Sequence, residues 1–188
     1  MTDEPPEVTG AGRRPGDLDP AHLLARIIRV DQAGEYGAAR IYEGQLAVLG
    51  ASKSAPAIRR MAEQERRHLE AFDQLLVARR VRPSLLSPFW HLAGFALGAG
   101  TALLGEAAAM ACTEAVEEVI DEHYRRQMAS LGEDEAPLRE TIATFREEEI
   151  AHRDAARAAG AADAPAYPLL NGTIKAGARL AIWLAERF

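Results

Sequence analysis

Glu35 is followed about thirty residues later by Glu65-Arg66-Arg67-His68, and Glu117 at nearly the same distance by Glu149-Ile150-Ala151-His152. Four carboxylates and two imidazoles in this pattern are what a helical bundle uses to hold two metal ions in its core. A single Glu-x-x-His carries little weight, since about 0.5 such motifs are expected by chance at this composition. Two of them, each with its own leading glutamate, form a pattern. Glutamate and histidine at i and i+3 lie about 60° apart around a helix, so both reach one metal. Two ferrous ions carry a charge that four glutamates neutralise, whereas four carboxylates clustered in a dry core without metal are strongly unfavourable. Oxygen-rich ligation with one imidazole per metal suits iron or manganese better than a thiolate-seeking ion. Six protein ligands for two metals leave positions open for O2 or solvent.

These side chains need two helical hairpins to bring them level. The midpoint of Glu35 and Glu65 falls at Gly50, which opens Gly50-Ala51-Ser52-Lys53-Ser54, a C′ glycine followed by N-cap serines. The midpoint of Glu117 and Glu149 falls at Gly132-Glu133-Asp134. Each arm is then about 15 residues, or about 22 Å at 1.5 Å per residue. The repetition runs further. Glu35-x6-Tyr42-x2-Gln45 is matched by Glu117-x6-Tyr124-x2-Gln127, and Glu63-x-Glu65-x-x-His68 by Glu147-x-Glu149-x-x-His152. Each tyrosine lies two turns beyond its glutamate on the same face. A duplicated hairpin closed into an all-α four-helix bundle is the simplest reading.

The chain of 188 residues suits one domain, is 48% hydrophobic but only 6% aromatic, and is rich in helix-forming residues. Its net charge of −6 gives no electrostatic case for nucleic-acid binding. The one cysteine, Cys112, excludes an internal disulfide and reads as a buried apolar residue. Residues 1–19 read as a disordered lead-in with no apolar signal core and too many acids for a transit peptide. Residues 20–188 read as a single domain, with Pro20 at the first helical position and helices at about 20–49, 54–80, 86–104, 106–130, 136–159 and 171–187.

Two segments exceed what a plain bundle requires. Residues 85–105 contain no Asp, Glu, Lys or Arg, yet the uninterrupted apolar run after His91 is too short to span a bilayer. Residues 171–187 are mostly apolar, with Lys175, Arg179 and Glu186 as a narrow polar stripe. They either cover the bundle, form an oligomer interface or touch a membrane surface. Membrane contact is the favoured expectation, with Trp90 and Trp183 at the water–lipid boundary, and it admits a lipid-like substrate.

Other residues carry plainer expectations. Glu43, Glu70, Glu114, Glu118, Glu122, Glu135 and Glu140 read as surface or supporting groups. His22 reads as exposed, His91 as interfacial, and His123 lies on a different face from Glu117, so it is no obvious ligand. Tyr42 reads as an ordinary core tyrosine.

The chain resembles the demethoxyubiquinone hydroxylases, a ferritin-like di-iron family. The likeness runs through Arg29-Val30-Asp31-Gln32-Ala33-Gly34-Glu35-Tyr36-Gly37-Ala38, Glu65-Arg66-Arg67-His68 and Ala111-Cys112-Thr113-Glu114-Ala115-Val116-Glu117-Glu118. It continues in Phe145-Arg146-Glu147-Glu148-Glu149 with His152, in Ala164-Pro165-Ala166-Tyr167 and in the Glu186-Arg187 ending. The resemblance implies that Glu35, Glu65, His68, Glu117, Glu149 and His152 hold two iron ions, with Glu65 and Glu149 bridging. Between Glu117 and Glu118, the repeat match to Glu35 favours Glu117. It also implies that His123 and Tyr124 lie between the quinone ring and the irons, in electron or proton transfer.

The implied activity is O2-dependent hydroxylation of demethoxyubiquinol: one oxygen atom enters the unsubstituted ring carbon and the other leaves as water. Electrons come from the quinol itself or from NADH. The implied partners are a polyprenylated quinol, a membrane surface, a lipid-binding partner protein and further copies of the chain. The expected location is peripheral, on the cytoplasmic face of a bacterial membrane. The competing readings are a ferritin-like iron-storage or peroxide-detoxifying protein, for which residues 85–105 have no role, and a bundle that has lost its metal.

Overall fold

Proline placement sets where most of the helices begin. Pro20, Pro56, Pro88, Pro137 and Pro168 each occupy the first or second position of a helix, where the missing N–H costs nothing. The computed structural model describes residues 19–188, so the expected lead-in lies outside the described residues except for Asp19. The described chain is all-α: α1 (Pro20–Leu49), α2 (Ala55–Ala78), α3 (Ser87–Leu103), α4 (Glu106–Ser130), α5 (Ala136–Ala158) and α6 (Tyr167–Ala185), with no strand. Five of these match the expected spans to within two residues. α6 starts earlier than the expected 171, because Ala166 turns left-handed at φ 49° and Pro168 then opens the helix at once.

Both turns fall where the ligand midpoints put them, although their chemistry differs from expectation. Gly50 has φ −58° and ψ −17°, so it continues the right-handed turn and is not a left-handed C′ glycine. Ser54 does not cap α2 with its side chain. Its N–H and hydroxyl instead donate to Glu106 Oε2 at 2.9 and 2.6 Å, tying the start of α2 to the start of α4.

α1 packs on α2 and α4 on α5, and α1–α4 and α2–α5 contacts join the two hairpins into a ring. On each of these helices the expected ligand lies between two apolar clusters. One gathers Tyr42, Ile58, Met61, Met110, Ala111 and Ala156. The other gathers Ile28, Phe72, Leu76, Tyr124 and Ile142. The polar centre is therefore sealed above and below by core.

α3 lies along α1, and α6 along α4. The glycines of α3 make that contact possible. A Cβ on Gly98 would collide with the Ile41 carbonyl oxygen, one on Gly94 would lie 2.7 Å from the Gly37 oxygen, and one on Gly44 would collide with the Phe95 oxygen. Gly100, by contrast, faces open space. Gly98→Ala should cost about 1–3 kcal/mol through overpacking, while Gly100→Ala should gain up to about 1 kcal/mol from helix propensity. Urea unfolding of the two variants checks the opposite signs.

No helix among the described residues is long and apolar enough to cross a membrane. α3 and α6 nevertheless present apolar side chains outward: Leu92 is 71% exposed, Leu103 75%, Leu180 56% and Trp183 48%. Trp90 departs from the expected boundary position. It is buried against Val30, Ala33 and Ala185, because α3 turns that face onto α1. Lys175 and Arg179 of the α6 polar stripe pair with Glu118 and Glu122 on α4.

Candidate metal centre

The structure brings all six expected ligands together. Donor atoms of Glu35, Glu65, His68 and Glu149 lie within 4.8 Å of one another, as do those of Glu65, Glu117, Glu149 and His152. Glu65 and Glu149 belong to both groups, the arrangement two bridging carboxylates require. All six side chains are buried. Glu118 stays outside, paired with Arg157 and Lys175, so the geometry favours Glu117.

Each imidazole turns Nδ1 inward. His68 Nδ1 lies 2.9 Å from Glu149 Oε1 and 3.4 Å from Glu35 Oε2, and His152 Nδ1 lies 3.1 Å from Glu65 Oε1 and 2.9 Å from Glu149 Oε2. Of these contacts His152 Nδ1 to Glu149 Oε2 is a hydrogen bond, whereas Glu65 Oε1, His68 Nδ1 and Glu149 Oε1 are buried without a hydrogen-bond partner among the described residues. Orphaned buried donors and acceptors are costly, and three in one spot need an occupant. A pair of divalent cations satisfies carboxylate oxygens and imidazole nitrogens together, so the residues fit a dinuclear metal.

The electrostatics agree. Burial, joined by the charge of Glu149, pushes the Glu65 and Glu117 carboxyls well above their ordinary value of 4.5. Burial also raises Glu35, partly offset by the His68 imidazole beside it. Glu149 is the exception. Burial would raise it, but the hydrogen bond from His152 and the adjacent His68 imidazole outweigh that and hold it at about 2. Burial would likewise lower His68, but the adjacent Glu149 and Glu35 carboxylates raise it to about 11. Without cations the cluster therefore retains protons that two metal ions would displace.

A pH dependence follows from these signs. For Glu35, Glu65 and Glu117 the unfolded chain ionises above 4.5 while the folded chain stays protonated, so metal-free stability falls as pH rises. His68 acts in the same direction between 6.5 and about 11. Glu149 opposes this only as pH falls from 4.5 towards about 2. The metal-free protein should lose melting temperature from pH 5 to pH 9, and divalent metal should reverse the loss. Calorimetry of stripped and loaded protein measures both.

Around the cluster, the duplication appears as crossed hydrogen bonds. Tyr42 on α1 donates to Glu117 Oε1 on α4 at 2.9 Å, and Tyr124 on α4 donates to Glu35 on α1. Tyr42 is buried as expected, but its hydroxyl orients a candidate ligand, which its reading as a plain core residue missed. The repeated spacing from Glu35 and Glu117 was the available signal. Burial first, then the neighbouring carboxylates, raise both phenols well above 10, so both stay donors.

His123 lies outside the six. Its Nε2 is 2.7 Å from Gln127 Nε2 and 3.5 Å from Asp31 Oδ1, and its ring centroid is 6.4 Å from that of Tyr124. His22 is exposed as expected, and the likewise exposed His91 is hydrogen-bonded through Nδ1 to the Tyr36 hydroxyl at 2.7 Å. Glu114, expected at the surface or in support, is buried and bonded to Arg157 at 2.6 Å and to Tyr167 at 2.8 Å. Sequence reasoning assigned no role to Asp31, Gln64 or Glu148.

Beside the cluster runs an apolar cavity of about 440 Å³ between α1, α3, α4 and α6, bordered by Gly34, Gly37, Trp90, Val116, Ile120 and Gly177. Its wall adjoins the cluster through the chain: Gly34 and Val116 line the groove, while the next residues, Glu35 and Glu117, belong to the cluster. A volume in the range of about 300–1,000 Å³ is typical of small-molecule clefts.

The fold and the site define a class: an all-helical protein with a buried, duplicated carboxylate–imidazole cluster that could hold metal, beside an apolar groove. The particular family is shown by comparison. Residues 22–185 match the family described as Ubiquinone biosynthesis protein COQ7, and the chain belongs to it. It is 62% identical over 180 residues to the 3-demethoxyubiquinol 3-hydroxylase of Rhodospirillum rubrum, covering 95% of this chain and 85% of that protein. It is 54% identical over 167 residues to the NADPH-dependent 3-demethoxyubiquinone 3-hydroxylase, mitochondrial, of Rattus norvegicus (87% and 77% covered). It is 44% identical over 184 residues to the 5-demethoxyubiquinone hydroxylase, mitochondrial, of Saccharomyces cerevisiae (89% and 79% covered).

Proposed function

We propose that this chain hydroxylates the ring of demethoxyubiquinol with O2 in ubiquinone biosynthesis, as a di-iron monooxygenase. Hydroxylation in ubiquinone biosynthesis rests on family membership and on relatives named for that reaction. The single observation that carries the di-iron reading is the pair of four-residue groups sharing Glu65 and Glu149. We read the ring of α1, α2, α4 and α5 as a ferritin-like bundle, supported by its two hairpins and their cross-contacts.

In this reading Glu35, Glu65, His68 and Glu149 hold one iron, and Glu65, Glu117, Glu149 and His152 the other. Bound iron would supply the activation of O2. The chain's own residues do the rest. Tyr124 and Tyr42 donate to Glu35 and Glu117 and fix their orientation. The groove holds an apolar substrate against α1 and α4 and excludes water from it. We read His123, part-exposed and 6.4 Å ring to ring from Tyr124, as acting with it in electron or proton transfer between the quinone ring and the irons. The electron source is a reduced nicotinamide or the quinol itself. NADH is the sequence-based expectation, and the rat relative is named for NADPH.

The outward apolar residues of α3 and α6 support peripheral attachment to a membrane, on the cytoplasmic face in a bacterium, where a polyprenylated substrate resides. A lipid-binding partner protein or a second copy of the chain would meet the same faces. Leu92→Glu with Leu103→Glu should lower liposome partitioning by at least about 100-fold with metal content unchanged, which co-sedimentation measures.

The direct test supplies iron-loaded protein with demethoxyubiquinone, NADH or NADPH and ¹⁸O2. One labelled oxygen in the hydroxylated product is expected. Many irons per chain with no labelled product would favour the storage reading.

A further inference from the structure

The duplication lets each residue around the cluster be compared with its counterpart in the other half. Tyrosine matches tyrosine, and glutamine matches glutamine. The mismatches fall on one side. His68 Nε2 meets the Glu148 carboxylate at 2.6 Å, whereas His152 Nε2 meets the Gln64 amide oxygen at 3.1 Å. Gln64 and Glu148 hold equivalent places, each one residue before a shared carboxylate, Glu65 or Glu149. Likewise Gln127 donates to Asp31 at 2.6 Å, while its counterpart Gln45 meets Thr113 at 3.3 Å. Asp31 is buried, one turn before Glu35. Both extra carboxylates thus attend the Glu35/His68 half, and their counterparts are an amide and a hydroxyl.

We propose that the two metal positions are inequivalent by construction, with the Glu35/His68 position filled first because Glu148 hydrogen-bonds its imidazole. The inference rests on the dinuclear reading above. An imidazole N–H donating to a carboxylate forms a shorter, charge-assisted bond, which locks the tautomer and makes the inward nitrogen a stronger donor to metal. The amide oxygen of Gln64 locks the tautomer without that charge. Arg67, 3.7 Å from Glu148 and more than half exposed, screens the charge only in part. Glu148 therefore acts through His68 as a positioning residue.

The test is anaerobic titration of the metal-stripped full chain with ⁵⁷Fe(II), followed by Mössbauer spectroscopy and calorimetry. Up to one iron per chain, one quadrupole doublet should dominate, with a second growing only beyond that ratio. Glu148→Gln should weaken the first step by about 10–100-fold, so that both doublets rise together. Gln64→Leu should move only the second step. Two irons bound with equal affinity by the unmodified chain, or a Glu148→Gln protein that keeps the order, overturn the inference and leave the dinuclear reading standing. No iron bound at any ratio overturns both. Should Glu148→Gln fail to fold, the half-loaded spectrum of the unmodified chain decides by itself.

Discussion

Glu149→Gln is expected to take the protein from two bound metal ions to none and to lower hydroxylation by more than about 100-fold, since removing even a group that only supports a ligand typically costs about 10–100-fold. Glu149 belongs to both ligand groups and lies within 2.9 Å of both inward imidazole nitrogens. Its effect should extend to the metal-free protein. Glu149 is the one carboxyl of the four held below its ordinary value, because it bonds His152 and lies against His68. A neutral amide in its place weakens the charge-assisted bond to His152 and removes the counter-charge at His68 Nδ1, at about 1–3 kcal/mol for each group left unsatisfied. Glu65→Gln makes the contrast. Glu65 already carries a proton in the metal-free fold, so its amide is a close substitute there. Both variants should lose metal, and only Glu149→Gln should lose stability without it. Metal analysis with urea unfolding of the stripped proteins separates the two effects.

Filling the groove should block the substrate while sparing the metal. Gly37 and Gly177 both border the cavity, and a Cβ on either meets nothing within 4 Å. Leucine at both positions occupies free space on helices that favour leucine over glycine. The folded protein should be as stable as before, with two metals per chain. Denying a long-tailed quinol about 110 Å² of apolar burial weakens its binding by about 2.7 kcal/mol at about 25 cal/mol per Å², or about 100-fold in kcat/KM. A steady-state assay on long-tailed and tail-free quinols measures it. Unchanged turnover of the long-tailed substrate would place its binding elsewhere.

The membrane-facing and catalytic readings meet at the glycines. Glycine has low helix propensity, yet Gly94 and Gly98 let α3 lie close enough to α1 to wall the groove. Trp90 shows the same limit. An aromatic in an apolar run reads as interfacial, but the roll of α3 puts it against Val30 and Ala185. Which face of a helix is covered depends on a neighbour remote in sequence, and composition is blind to that.

What the chain determined by itself was local and periodic: the helices, the two turns, and the six residues that meet at one level. A ligand's height and facing follow from its distance to a turn and from 3.6 residues per turn, so counting along the sequence suffices. Only the tertiary structure decided which groups stand behind those six. Tyr42 reaching Glu117, Tyr124 reaching Glu35, and Glu148 behind one imidazole with Gln64 behind the other are contacts between different helices. Their partners are set by how far each helix is rolled and tilted, a property of packing between surfaces that no spacing within one helix encodes.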